Sequence, residues 1–504
     1  METQSKYDIV IVGSGLGGLA CGSILSQRGY SVCVLEQHHQ IGGCLQDFKR
    51  KGKLFDTGMH YIGSYDDGQI LNTLFRYFAI YKDVDAEKLD LHAFDVLNVN
   101  NKEFSIPQGI KQFKEKLIES FPNEKDGIKT YINKLKEIFS SVDIINLRDV
   151  NVFELAGKKG LDENVFEFVS SITSDIDLQN ILCYTNSLYA GKKKSASLFI
   201  HAVISIFYLQ SAYKLKHGGG QIANAFKKVI ENNGGRVLTQ AKVEGLICDK
   251  DRIEEVKVKG QNSIQAKIVI SNIDPLTTME MTTGGNFRKV YLSRLKRQEQ
   301  TISCFSLYVV FKEKSVKYIN SNLYYYNDKD VWGIDNYSEQ TWPQGFMLYM
   351  KESKEHKGYA ESMIVLSPME YNEMAPWFDT EIEKRGDDYK KMKAQKSDQL
   401  INLIEKKFPS IRKDIANTYS STPLSYRDYT GVREGAMYGV SVDNRNPFES
   451  QIQPRTRVKN LFLTGQNINM HGILGVSIGA ILTCGEIEGI NNIMADLRKH
   501  KQTT

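Results

Sequence analysis

The chain has 504 residues, 41% hydrophobic and 25% charged, and its 65 lysines and arginines nearly balance 60 aspartates and glutamates, for a net charge of +5. Such a composition excludes a disordered polymer, because there is ample apolar material for a core, and so small a charge excess gives no basis for nucleic-acid binding. The length predicts two or more domains. Seven scattered cysteines with no C-x-x-C pair, and an opening METQSKYDIV without a secretory pattern, point to a reducing cytoplasm. Nine histidines without ligand spacing predict no structural metal.

The first predicted unit is YDIVIVGSGLGGLACGSILSQRGYSVCVLEQ. It reads as a strand from Tyr7 to Val12, a G-x-G-x-x-G loop at Gly13, Gly15 and Gly18, a small-residue helix to Arg28, and a strand from Ser31 ending at Glu36. Gly13 permits the tight turn, Gly15 lets backbone approach a pyrophosphate, and Gly18 lets the helix pack closely on the sheet. Ser14 and Gly17 complete the loop, whose helix N-terminus suits phosphate. Glu36 stands where a carboxylate accepts hydrogen bonds from adenosine ribose hydroxyls, and its charge disfavours a 2′-phosphate.

Gly42 and Gly43 follow six and seven residues after Glu36. That spacing recurs in flavoproteins with a two-dinucleotide-binding fold, although a doublet alone also marks a surface turn. Next comes FDTGMHYIGS, Phe55 to Ser64, a strand feeding a glycine and then a histidine and tyrosine able to reach a ligand.

The segment LFRYFAIYKDVDAEKL is charged and aromatic, and Leu198 to Leu209 is predominantly apolar. Its three helical turns are too short to cross a bilayer. It reads as core, as the wall of a lipid tunnel, or as a membrane-contacting helix. From Gly218 the pattern predicts a glycine cluster, an amphipathic helix over Gln221–Glu231, and strands over Arg236–Thr239, Val243–Asp249 and Glu255–Lys259, then AKIVISN leading to an NIDP loop. Later, Leu400, Leu403, Ile404 and Phe408 form the inward stripe of a charged helix. Thr422 to Tyr429 is expected to be a strand feeding a loop. Near the C-terminus a strand over Leu461–Thr464 ends at Gly465, with Gly472 and Gly475 before a helix carrying Gly479 and Ala480, a second backbone cradle for an anion or flavin carbonyls.

Together the opening unit, the doublet, FDTGMHYIG and FLTGQNINMHGILGVSIGA resemble the FAD-dependent oxidoreductases that include phytoene desaturases, carotenoid isomerases and retinol saturases. GGC followed by FDTGMHYIG is most similar to the retinol saturases; desaturases commonly carry arginine where this chain has Cys44. The resemblance implies an α/β fold, a Rossmann-type FAD domain with an inserted α+β substrate domain. It implies a discontinuous FAD domain over 1–84, 213–286 and 418–504, with the substrate domain over 85–212 and 287–417. It implies FAD as cofactor, contacted also by Gly58, Met59, Val243, Gly465, Gln466, Gly475 and Val476.

The implied substrate is a lipophilic polyene or isoprenoid whose C=C bond is reduced. An isomerase and a desaturase remain open alternatives, and beyond them an amine oxidase or a non-catalytic FAD- and lipid-binding protein. His60 is a candidate proton donor, imidazole titrating near neutrality, or equally a histidine that only positions the cofactor, and Tyr61 is its neighbour in the catalytic set. No second G-x-G-x-x-G followed by an acid is present, so the electron donor is unknown and a dedicated NAD(P)H domain is not expected. A cytoplasmic protein with peripheral membrane contact is the expected setting.

Overall fold

In the computed structural model the described residues are 5–150, 159–468 and 470–501. A five-stranded, all-parallel sheet runs in the order Arg236–Leu238, Val32–Leu35, Lys6–Val12, Gln265–Ser271, Leu461–Leu463. Its strands are near-continuous apolar runs because both faces are covered. On one face Ile9, Ile11, Val32 and Val34 pack with Leu19, Ile24, Phe226, Ile230 and Ile481 of the helices Leu16–Gln27, Gly220–Asn232 and Gly472–Glu488. On the other, Val10, Val12, Cys33 and Leu35 pack with Val243, Leu246, Ile253 and Val256 of a small three-stranded sheet.

From Lys6–Val12 the chain builds outward on one side, then returns to place Gln265–Ser271 on the other. The strand order reverses between these two strands. In open α/β sheets ligands bind outside the carboxyl ends of the strands at such a point.

A seven-stranded sheet follows the order Ile415–Ser421, Ser303–Phe311, Ala360–Met369, Gly345–Glu352, Asn322–Tyr326, Asp95–Val99, Lys102–Ile106. All its pairings are antiparallel except that of Asn322–Tyr326 with Asp95–Val99. One face packs Leu400, Leu403 and Ile404 of the helix Gly386–Lys407. The other presents Tyr308, Tyr324, Tyr326 and Tyr349 to the large core, which includes the helix Leu198–Gln210.

That apolar helix is a core helix: Leu198, Phe199, Ala202, Val203, Ile206 and Phe207 are buried, and Gly63 packs against the Phe207 carbonyl. The expected strand over Thr422–Tyr429 is instead a helix, Pro423–Thr430. Thr422 and Ser425 make a reciprocal capping box, proline takes the first helical position, and Gly431 ends the helix at φ +69°. The strand lies just before it, at Ile415–Ser421. Among the described residues no helix is long and apolar enough to cross a membrane.

Candidate functional site

The glycine loop sits at the carboxyl edge of the parallel sheet, where the strand order reverses. Gly13 turns the chain at φ +91°, and its N–H donates to the Leu35 carbonyl at 2.8 Å. The helix Leu16–Gln27 starts from Gly15 with no side-chain cap and no acid in its first turn, so its positive end is left to a ligand. A Cβ on Gly18 would stand 2.3 Å from the Gly13 carbonyl oxygen, and one on Gly17 3.0 Å from the Gly465 backbone. The first and last strands thus meet at the loop through bare backbone.

Glu36, 8% exposed, is fixed beside this loop. Its Oε2 accepts from the Ser14 N–H at 3.0 Å and the Ser14 hydroxyl at 2.6 Å, and its Oε1 from the His38 N–H at 2.9 Å. The doublet joins the same surface. The Gly42 N–H donates to the Ser14 carbonyl at 3.0 Å, Gly42 has φ +113°, and a Cβ on Gly43 would lie 3.3 Å from the Gly15 Cα. Gly58 then packs on Cys44, where a Cβ would approach the Cys44 carbonyl oxygen to 3.0 Å. Burial pushes the Cys44 thiol up to about 11, leaving it protonated and unreactive at neutral pH.

Val243 is buried and paired with Val258, and the Ala241 N–H just before it donates to the Glu36 carbonyl at 2.8 Å. Gln466 directly follows Gly465 and is partly buried. Gly475 and Val476 lie in the first turns of Gly472–Glu488, which begins earlier than the sequence pattern suggests. Met470 folds back onto Gly475, at 2.5 Å from where a Cβ would be. Met59 packs beside Gly219.

His60 and Tyr61 diverge. His60 Nδ1 lies 3.2 Å from the Tyr349 hydroxyl, which donates to Asp56 Oδ2 at 3.3 Å; Lys351 Nζ pairs with the same oxygen at 2.7 Å, and Asp56 Oδ1 accepts the Gly219 N–H at 2.9 Å. Desolvation lowers the His60 pKa to about 4; Asp56 opposes this and Lys351 adds to it. A neutral imidazole has no imidazolium proton to give near pH 7, and so the expectation that His60 titrates near neutrality is corrected by its burial. Tyr61 points the other way. Its ring packs on Tyr208 with centroids 4.3 Å apart, and its hydroxyl is 2.9 Å from that of Tyr324 and 3.3 Å from Asp95 Oδ2. Tyr438 packs against His471 with the rings tilted, 4.7 Å between centroids, and His471 lines a small cavity with Tyr189, Ser197, Ile200 and Val442.

Several residues of this region escaped sequence reading. Asn272 ends the strand Gln265–Ser271 and reaches into the glycine loops: its amide donates to the Gly13 carbonyl at 3.5 Å, and its side chain fills the space that a Cβ on Gly15, Gly17 or Gly465 would need. The signal was a polar residue ending a strand at the order reversal. The glycines of HGGG serve a different purpose, bringing the helix Gly220–Asn232 down onto the carboxylates of Asp56 and Asp47.

Residues 11–78 match a family model described as an NAD(P)-binding Rossmann-like domain. The chain is 28% identical to the all-trans-retinol 13,14-reductase of Rattus norvegicus, over 99% of this chain and 88% of that one. It is 24% identical to the 4,4'-diapophytoene desaturase (4,4'-diapolycopene-forming) of Methylomonas sp, over 60% of each chain. An oxidoreductase from Methanosarcina mazei superposes with a TM-score of 0.65 at 14% identity, over 96% of this chain and 100% of that one. A putrescine oxidase superposes at 0.62 and 13%, over 98% and 99%. These two likenesses establish the fold, an α/β architecture whose first part matches a Rossmann-like dinucleotide-binding domain.

Proposed function

We infer that the chain is a member of the FAD-dependent oxidoreductases that include retinol saturases, carotenoid isomerases and phytoene desaturases, and that it reduces a C=C bond of a lipophilic polyene. The observation that carries this reading is the match to the retinol reductases, which runs over 99% of the chain, whereas the match to the desaturase stops at 60%. The proposed layout is the FAD domain over 1–84, 213–286 and 418–504, enclosing a substrate domain over 85–212 and 287–417.

The residues present fit FAD. The uncapped helix N-terminus at Gly15 suits a pyrophosphate, and Gly17, Gly43 and Gly465 let the loops that frame it pack backbone to backbone and against Asn272. Glu36 carries the carboxylate for ribose hydroxyls and is held by the Ser14 N–H and hydroxyl and by the His38 N–H; Gly13, Ser14, Gly18 and Gly42 are proposed cofactor contacts of the same loop. Gly58, Met59, Val243, Gln466, Gly475 and Val476 are the proposed remaining contacts. When bound and reduced, the flavin supplies hydride chemistry; orientation and water exclusion are the protein's part. His60, neutral and tied to Tyr349, is proposed to position the segment beside the ring.

Anaerobic mixing of chemically reduced holoenzyme with all-trans-retinol tests the function. The account expects flavin absorbance to return as the polyene chromophore shortens. A lipid carrier would leave both spectra unchanged.

A further inference from the structure

Behind Tyr61 lies a carboxyl with no counter-charge among the described residues. Asp95 opens the strand Asp95–Val99 and is 0% exposed. The parallel register sets Asn322 opposite it, and Asn322 Nδ2 donates to Asp95 Oδ1 at 2.8 Å. The second oxygen, Oδ2, accepts from the Tyr184 hydroxyl at 3.1 Å and the Tyr61 hydroxyl at 3.3 Å.

Every neighbouring element contributes a neutral group: Tyr61 from the FDTGMHYIG segment, Tyr184 from the turn Tyr184–Leu188, Tyr208 from the helix Leu198–Gln210, and Asn322, Tyr324 and Tyr326 from the adjacent strand. Among the described residues Asp95 makes no ion pair. An isolated buried carboxylate is costly unless it is protonated or richly hydrogen-bonded. Here burial raises the Asp95 pKa to about 7, with the Asn322, Tyr184 and Tyr61 hydrogen bonds pulling it down. Both charge forms are therefore accessible near neutrality, whereas His60 stays neutral.

We propose that Tyr61 and Asp95 form a buried proton relay: Tyr61 protonates the carbon beside the one that accepts hydride, and Asp95 re-protonates Tyr61. The proposal rests on the reductase reading above, in which reduced flavin is the hydride source. The new C–H bond takes the electron pair released from the C=C bond, the Tyr61 O–H bond breaks, and its pair remains on the phenolate oxygen. The Asp95 O–H bond then breaks and its proton passes to that oxygen. The resulting carboxylate keeps three donors, from Tyr61, Tyr184 and Asn322, and a solvent proton later resets it. Tyr61 is the catalytic residue of the relay, and Asp95 acts through it.

The test is infrared spectroscopy of the holoenzyme from about pH 5 to about pH 9, on the wild type, Asp95→Asn and Tyr61→Phe, together with single-turnover reduction of all-trans-retinol. The expected result is a protonated-carboxyl carbonyl band that titrates near neutrality, vanishes in Asp95→Asn and shifts in Tyr61→Phe. In parallel, single-turnover reduction slows by at least about tenfold in either variant while FAD stays bound, and the wild type's decline above neutrality disappears in Asp95→Asn. Absence of the band from the wild type at about pH 6, or a wild-type rate in both variants, overturns the relay. If the wild type leaves retinol unreduced while the Tyr61-sensitive band is present, the reductase reading falls and the acid–phenol pair stands; if that band ignores Tyr61→Phe, the relay falls as well.

Discussion

The Tyr349 hydroxyl stands between His60 and Asp56, 3.2 Å from the imidazole Nδ1 and 3.3 Å from the carboxylate. This arrangement ties the FDTGMHYIG segment to the seven-stranded sheet and gives His60 a fixed orientation. With its pKa lowered to about 4 by desolvation, His60 is neutral near pH 7, and the proposed role for it is positioning. His60→Gln should keep the hydrogen bond and reduce turnover by less than about tenfold without moving the pH profile. Abolished turnover with FAD still bound would restore the proton-donor role to His60.

Lys351 is the counter-charge to Asp56, at 2.7 Å, with Asp56 3% exposed. Lys351→Met strands a buried carboxylate and should cost about 3 kcal/mol by denaturant unfolding. Adding Asp56→Asn should recover much of that loss, read as a coupling energy in a double-mutant cycle. Additive losses would show that the pair does not interact.

Gly17 and Gly15 differ in what surrounds them. A Cβ on Gly17 meets the Gly465 backbone at 3.0 Å as well as Asn272, whereas one on Gly15 meets only the Asn272 side chain, at 2.7 Å. Backbone cannot yield as a side chain can, so Gly17→Ala should cost about 1–3 kcal/mol and lose more FAD affinity than Gly15→Ala in a fluorescence titration. Equal losses would mean that the two strands do not meet as described.

Three desolvated histidines, His201 buried and His60 and His471 half-buried, set the acid limit. Burial lowers His60 and His471 to about 4 and His201 to about 3. Each is neutral when folded but binds a proton when unfolded below about pH 6.5, so they favour unfolding as pH falls from about 6.5 toward 4. Asp95 has the opposite sign: its raised pKa adds stability at low pH that is lost as pH rises toward 7. The histidines outnumber it, and thermal stability should fall on acidification through this window. Asp95→Asn should make the fall steeper, and a flatter curve would contradict the burial of Asp95 as an acid.

The dinucleotide unit was legible because each of its constraints is local: an apolar run, glycines at fixed spacing, and a strand-ending acid at Glu36. The site beyond it was not. Asp95 meets Asn322 only through the pairing of a strand near residue 95 with one near residue 322 and meets Tyr61 across 34 residues of chain, and no local pattern encodes that register. His201 sits in an apolar helix with nothing in sequence to show that Tyr131, Tyr189 and Thr185 satisfy it. The TPLSYRDYT segment, expected as a strand, is a helix because of the Thr422 cap and Pro423 at its first position.

The most direct test of the central claim is the mass of the product formed when reduced holoenzyme meets all-trans-retinol without oxygen. The account predicts a gain of two hydrogens, in stoichiometric yield with flavin oxidised. An unchanged mass with altered chromatographic retention would mean isomerisation and would contradict the assignment as a reductase.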